Sequence, residues 1–138
     1  MDTNPLLAGL VLVGVCCDAK AADSLYIHIG SEHGHGTTTT VPRSSNPGLG
    51  YQWPSHWQIG GYINSIDRPS YYVAYVAPVG YGFSVVMGAA TGYWRDVVPL
   101  LIPEYRLGPI ALHYVPPFRV PEGRVQAAVS LSIVWSLD

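Results

Sequence analysis

Charge is scarce in this 138-residue chain. Asp, Glu, Lys and Arg make up 12% of it, about half of the share usual in soluble domains, and Lys20 is the only lysine. The net charge of −2 argues against a basic surface for nucleic acids. Because a surface that faces water normally carries more charge than this, we expect the outer surface to contact lipid or protein.

Cysteines and long apolar runs are also scarce. Cys16 and Cys17 are the only cysteines and they are adjacent, so the sequence predicts no disulfide framework. No stretch of about 18 apolar residues occurs, which argues against a helical membrane span. The 12 prolines and 15 glycines leave no helical pattern longer than two turns after the first 22 residues.

The N-terminal segment is apolar. Leu6 to Val15 is an unbroken apolar run, and Ala19-Lys20-Ala21 follows it. This is the length of a secretory h-region with an Ala-x-Ala cleavage site, although Asp2 is the only charge before the run. We therefore predict a signal-like leader over 1–22 and a single domain over 23–138. The alternative is an uncleaved apolar segment that is buried or docked on a partner.

Alternation typical of strands dominates the rest of the chain. We predict an all-β fold, a small antiparallel up-and-down barrel of about eight strands preceded by the apolar N-terminal segment. Pro99 and Pro103 indicate an edge, a bulge or an interruption in the sixth strand. The predicted strands are Leu25–Gly30, Gly48–Trp53, Trp57–Asn64, Ser70–Ala77, Tyr81–Ala90, Pro99–Leu107, Pro109–Val115 and Val125–Trp135.

Two strands show which face points outward. Over Tyr81–Ala90 and Val125–Trp135, large apolar residues alternate with small or polar ones, and neither strand contains a charged residue. A narrow barrel would place the small and polar side chains inside and the large ones toward lipid or a partner, with Tyr and Trp at the strand ends. A soluble sandwich with ordinary strand aromatics is the alternative. The polar residues predicted to line the interior are His28, Gln52, Gln58, Asn64, Ser84, His113, Gln126, Ser130 and Ser132.

Two groups of residues have the side-chain types that metal binding or nucleophilic catalysis requires. His33-Gly34-His35, with His28 and Glu32 nearby, has metal-binding residue types, but no cysteine or well-spaced third ligand completes a site. Ser31, His33, Ser65 and Asp67 supply the types of a nucleophile, a base and an orienting group, without a nucleophile-elbow motif. A solvated histidine loop and a chance set of serines are the favoured explanations of these two groups. We therefore assign no catalytic, cofactor-binding or metal residue.

Several motifs together resemble a known group of proteins. They are Asn46-Pro47-Gly48-Leu49-Gly50-Tyr51, Gly61-Tyr62-Ile63-Asn64-Ser65 with Arg68 and Ser70-Tyr71, Thr91-Gly92-Tyr93, Pro99 and Pro103, Tyr114-Val115-Pro116-Pro117, and Val129-Ser130-Leu131-Ser132. Over about residues 28–135 the chain resembles small proteins encoded by proteobacteria and their tailed phages. Their architecture is like that of small outer-membrane barrels, including lipid A acyl-modifying enzymes. The resemblance implies a barrel fold and a connection to the bacterial envelope.

These observations lead to one functional prediction and two alternatives. We predict a non-enzymatic phage virion protein, packed in the portal–tail region, that is delivered to the host envelope and helps genome ejection. Its expected partners are outer-membrane lipid and either further copies of itself or portal and tail proteins, with no sequence-specific nucleic-acid binding and no cofactor. Its expected location is the virion, the host outer membrane or both. The alternatives are an outer-membrane lipid A acyl-modifying enzyme, with His33 or His35 as base, and a plain bacterial outer-membrane structural barrel.

Overall fold

A computed structural model describes residues 22–33, 44–93, 95–120, 123–125 and 127–137. The predicted leader, apart from Ala22, lies outside these residues. The described part of the chain forms ten strands. They are β1 (Ser24–His33), β2 (Ser45–Gln52), β3 (Trp57–Ile63), β4 (Pro69–Gly80), β5 (Phe83–Ala90), β6 (Val98–Leu107), β7 (Ile110–Val115), β8 (Phe118–Val120), β9 (Gly123–Val125) and β10 (Ala128–Ser136).

Eight of these strands close into an antiparallel barrel in the order β1-β10-β7-β6-β5-β4-β3-β2. Each strand pairs with its neighbour along the chain, and β1 closes the sheet by pairing with β10 from Ser24↔Ser136 to His33↔Ala128. This confirms the predicted all-β barrel and all eight predicted strand positions, with shifted ends. The remaining pair, β8 and β9, forms a separate two-stranded sheet that the sequence analysis did not predict.

The two ends of the barrel differ in their connections. At one end the strands are joined by short turns at 53–56, 81–82 and 108–109, and β1 begins and β10 ends there. We call this the short-turn end. At the other end the connections span 34–44, 64–68, 91–97 and 116–127, the last of which contains β8 and β9. We call this the long-connection end.

Side chains alternate between the interior and the outer surface on every barrel strand. In β10, Ser132 and Val134 are buried, whereas Leu131, Ile133 and Trp135 are exposed. One irregularity changes this alternation in β1, where the register shifts between His28 and Gly30 and leaves Ile29 as an extra residue. Beyond this bulge the odd-numbered positions face the interior, so Ser31 lies opposite Ser130 and His33 lies opposite Ala128.

The two prolines of β6 lie where that strand has one partner. β6 pairs with β5 from Phe83↔Tyr105 to Ala90↔Val98, but with β7 only over Glu104–Leu107. Because Arg106 N–H donates to Gly82 O on the β5 side, the odd-numbered positions of β6 direct their nitrogens toward β7. Pro99 and Pro103, which have no N–H, therefore interrupt no hydrogen bond of the sheet. This confirms the prediction that the proline-containing part of the sixth strand is an edge, although the rest of the strand pairs on both sides in the closed barrel.

Candidate functional site

The interior of the barrel is polar and its side chains bond to one another. At the centre, His28 Nδ1 lies 2.8 Å from Ser132 Oγ, and His28 Nε2 lies 3.0 Å from Tyr72 Oη. Glu104, which is 1% exposed, bonds through Oε2 to His113 Nε2 at 2.8 Å. Buried polar groups need such partners because an unsatisfied one costs about 1–3 kcal/mol. These side chains therefore fill the middle of the lumen and connect strands across it.

A second cluster closes the interior at the long-connection end. The fully buried Asn64 donates from Nδ2 to Ser70 Oγ at 2.9 Å and to Gly92 O at 2.8 Å. Its Oδ1 accepts the N–H groups of Ile66 at 3.1 Å and Arg68 at 3.0 Å. One side chain thus uses both its donors and its acceptor to join the 64–68 connection to the neighbouring 91–97 connection.

Two tyrosines complete this closure. Tyr62 Oη and Tyr93 Oη lie 2.5 Å apart. Burial raises the pKa of Tyr93 well above its ordinary value, with the neighbouring Tyr62 adding to the rise, so its hydroxyl stays neutral. The closure is therefore built from neutral hydrogen-bonding groups.

The Ser31 and His33 side chains meet at the long-connection end, as a catalytic pair would. Ser31 Oγ lies 2.9 Å from His33 Nε2, but its hydroxyl donates to Asn46 Oδ1 at 2.5 Å. The orientation of that amide is fixed because Asn46 Nδ2 donates to Ile63 O at 3.1 Å. Because the Ser31 hydroxyl donates its single proton to Asn46, Ser31 Oγ accepts the hydrogen bond from His33. This direction is the reverse of the arrangement in which a histidine deprotonates a serine.

Ser65 and Asp67, which were predicted to act with this pair, are not assembled around it. Ser65 and Asp67 lie in the turn between β3 and β4, two strands away from β1. Asp67 has a positive φ of 61° and its N–H donates to Asn64 O at 3.0 Å. Gly34 and His35 lie outside the described residues. Within the described part of the chain, no three His, Cys, Asp or Glu side chains are placed to share a metal ion.

A cavity of about 840 Å³ opens at the short-turn end. Arg106 lies at its wall, and the Arg106 Cζ atom is 5.6 Å from the centre of the Tyr26 ring. Tyr26 in turn donates its hydroxyl to Gln52 Oε1 at 2.8 Å. The lining of the cavity includes Gln52, Val76, Ser84, Glu104, Arg106 and Val134.

The outer surface of the barrel has the opposite character. Among the outward positions of the eight barrel strands, Glu32 is the single charged residue, and it lies one residue from the long-connection end of β1. Apart from Ser45 at the start of β2, the other outward side chains are apolar or aromatic, for example Leu49 at 59% exposure and Leu101 at 65%. An apolar surface that continues across neighbouring strands marks a site of contact with protein or membrane.

Aromatic side chains gather on the outer surface near the short-turn end. Three outward pairs have ring centres 5.1, 5.6 and 4.6 Å apart. Trp135, at 65% exposure, and Tyr81, at 75%, lie at the same end. The paired rings are Tyr51 with Trp53, Trp57 with Tyr75, and Phe83 with Tyr105.

Comparison with known proteins identifies no relative. No family model matches the chain, and no curated protein matches it significantly. Among the described residues, no helix is long and apolar enough to cross a membrane.

Most residues predicted to face the interior do so. His28, Gln52, Gln58, Ser84, His113, Ser130 and Ser132 occupy inward strand positions, Asn64 is buried at a strand end, and Gln126 lies outside the described residues. The inward residues missing from the predicted set include Tyr26, Tyr72, Glu104 and Arg106, and also the buried Ser24, Asn46 and Ser70. The sequence of β6 contained a signal for Glu104 and Arg106. The apolar residues that alternate with Pro99 and Pro103 lie on the same face of the strand as these two charged residues.

Proposed function

We propose that this chain is a membrane-embedded β-barrel of the outer-membrane type, with a structural rather than an enzymatic role. The observation that carries the proposal is the reversal of polarity. Charged and amide side chains line the interior, while the outward strand positions are apolar or aromatic except for Glu32 and Ser45, which lie at the long-connection end. A barrel in water would place charged residues outside. A barrel in lipid needs an apolar outer band and tolerates a polar interior.

The strand lengths support the same proposal. A strand that crosses an outer membrane needs about 9–11 residues. β1, β4, β6 and β10 contain 10, 12, 10 and 9 residues, and the other four contain six to eight. These lengths suit a thin apolar band, about 25 Å or less in height.

The asymmetry of the two ends suggests an orientation. Outer-membrane barrels have short turns on the periplasmic side and longer loops outside, with aromatic girdles at the membrane interfaces. We therefore place the short-turn end, with its aromatic pairs, at the periplasmic interface. The long-connection end, with the Ser31–His33 pair and the Asn64 cluster, faces outward.

The filled interior indicates that the barrel does not conduct. A barrel of eight strands is just wide enough to be filled by side chains, and the bonds of His28, Glu104 and Asn64 occupy the lumen. The test is reconstitution of the purified full chain into planar lipid bilayers. We expect no stable conductance steps, and steps of uniform size would contradict a filled lumen.

The narrower prediction of a phage virion protein rests on the signal-like leader and the motif set. We propose that the barrel is carried in the portal–tail region of a tailed phage particle and delivered to the host envelope to help genome ejection. Intact-mass measurement and N-terminal sequencing of the protein from purified particles and from host membranes test this proposal. Met1 retained in particles supports it, whereas a chain found only in membranes and beginning at Ala22 favours the two alternatives, first the lipid A acyl-modifying enzyme and then a bacterial structural barrel.

The 2.9 Å contact between Ser31 and His33 favours an acyl-modifying enzyme as the second candidate. The hydrogen bond from Ser31 to Asn46 argues against Ser31 as the nucleophile. Mass spectrometry of lipid A from cells that express the wild type, Ser31→Ala or His33→Ala distinguishes the two candidates. We expect the same lipid A profile in all three, and a modification that disappears with either variant would establish the enzyme.

A further inference from the structure

The cavity at the short-turn end is lined by two side chains that bond to other interior residues. Gln52 accepts the Tyr26 hydroxyl, and Glu104 bonds to His113. The volume of the cavity, about 840 Å³, is within the range of pockets that hold small molecules, about 300–1,000 Å³.

Two charged side chains line this pocket, namely Glu104, whose carboxylate bonds to His113, and Arg106. The Arg106 guanidinium lies over the Tyr26 ring, and no carboxylate of the described residues lies within 4 Å of it, since Glu104 is turned to His113. A guanidinium that lies over an aromatic ring can still donate hydrogen bonds from the N–H groups in its own plane. Because these donors have no side-chain acceptor among the described residues, we expect them to be available to a bound molecule.

A second donor lies on the opposite wall, because β2, which carries Gln52, and β6, which carries Arg106, are four strands apart in the closed barrel. Gln52 Oε1 accepts the Tyr26 hydroxyl, which fixes the amide and leaves the two N–H groups of Nε2 without a partner among the described residues. No buried nitrogen or oxygen of the described side chains is left unsatisfied, so Nε2 reaches the open cavity. The pocket thus combines a planar cation, an amide donor and apolar walls from Val76 and Val134.

We propose that this cavity binds a small organic carboxylate, with Arg106 as the anion-binding group and Gln52 as a second donor. Guanidinium and carboxylate match in a planar, two-bond geometry. The apolar walls favour a ligand with an apolar body over a fully hydrated inorganic anion. Binding requires only the folded barrel, so it does not depend on the proposed phage or membrane role.

Benzoate and its neutral isostere benzamide test the proposal. The full chain in detergent micelles is labelled with ¹⁵N, and the Arg106 Nε–H resonance is followed as each compound is added. We expect saturable shifts with benzoate and binding at least about tenfold weaker with benzamide, because charge-assisted hydrogen bonds are about twice as strong as neutral ones. Equal shifts with the two compounds, or no saturation with benzoate, would overturn the proposal.

Variants test the role of Arg106 itself. Arg106→Gln should weaken benzoate binding at least about tenfold, and Arg106→Lys should recover part of the loss because it keeps the charge without the planar group. Arg68→Gln is the matched control, since Arg68 is exposed at the opposite end and should not change binding. Unchanged affinity in a folded Arg106→Gln variant would contradict the assignment. The comparison of benzoate with benzamide uses the wild-type chain, so it tests the proposal even if a variant does not fold.

Discussion

Replacement of Leu49 by arginine tests whether the outer surface faces lipid. Leu49 is 59% exposed near the middle of the eight-residue strand β2, and its neighbours across the sheet are Ile27 and Gly61. With a rise of about 3.3 Å per residue and a tilt of about 40°, Leu49 lies about 8 to 10 Å along the barrel axis from the two ends of β2. An arginine at that depth has to be buried in hydrocarbon or bend far toward an interface.

The two environments predict different free energies of unfolding. In lipid, Leu49→Arg should destabilise the barrel by about 2–4 kcal/mol, the cost of arginine near the bilayer midplane. In water, a substitution at a position this exposed should change stability by less than about 0.5 kcal/mol. Equilibrium unfolding by urea from lipid vesicles, followed by tryptophan fluorescence, measures the difference.

Ile66→Arg is the matched control for this experiment. Ile66 is 48% exposed, but it lies in the 64–68 connection, beyond the ends of β3 and β4. Arginine near an interface costs about 0–1 kcal/mol. If Leu49→Arg were no more destabilising than Ile66→Arg, the reasoning that places the outward face of β2 in lipid would be refuted.

Three further predictions concern the interior. Asn64→Ala should lower the free energy of unfolding by about 2–4 kcal/mol, because it removes four hydrogen bonds and leaves buried partners such as Ser70 unsatisfied. Urea unfolding measures this loss, and a loss below about 1 kcal/mol would contradict the stabilising role of the Asn64 cluster. Gly88→Ala should prevent folding, because its Cβ would lie 2.6 Å from Ala74 Cα; a barrel whose electrophoretic mobility still shifts on heating would contradict this. Tyr72→Phe should cost about 1 kcal/mol through the lost bond to His28, and unchanged urea unfolding would show that this bond contributes nothing.

The sequence predicts the barrel well because each strand carries its own pattern. The alternation in Tyr81–Ala90 assigns Phe83 and Met87 to the outer surface, and the structure places both there. The absence of charge from that strand and from Val125–Trp135 reflects the apolar outward face. Such information is local, since neighbouring side chains on a strand point to opposite faces whatever the rest of the chain does.

The arrangement of the interior could not be predicted in the same way. The bulge at Ile29 turns Ser31 and His33 inward, and alternation alone gives no sign of it. The bond between Ser31 and Asn46 decides the direction of the Ser31–His33 contact, and it joins residues 15 positions apart. The bond of His28 to Ser132 spans 104 positions. Contacts of this kind depend on the closure of the sheet and the register of each pair, which the sequence does not show directly.

The most direct test of the account is whether the outward methyl groups touch lipid. The full chain, labelled at its Leu and Val methyl groups and placed in lipid nanodiscs, gives NMR cross-peaks between each methyl group and its surroundings. We predict cross-peaks to lipid acyl chains from Leu49, Leu101 and Leu131, and none from the inward Val86 and Val134. Cross-peaks from the three leucines to water alone would contradict the claim that this barrel is embedded in a membrane.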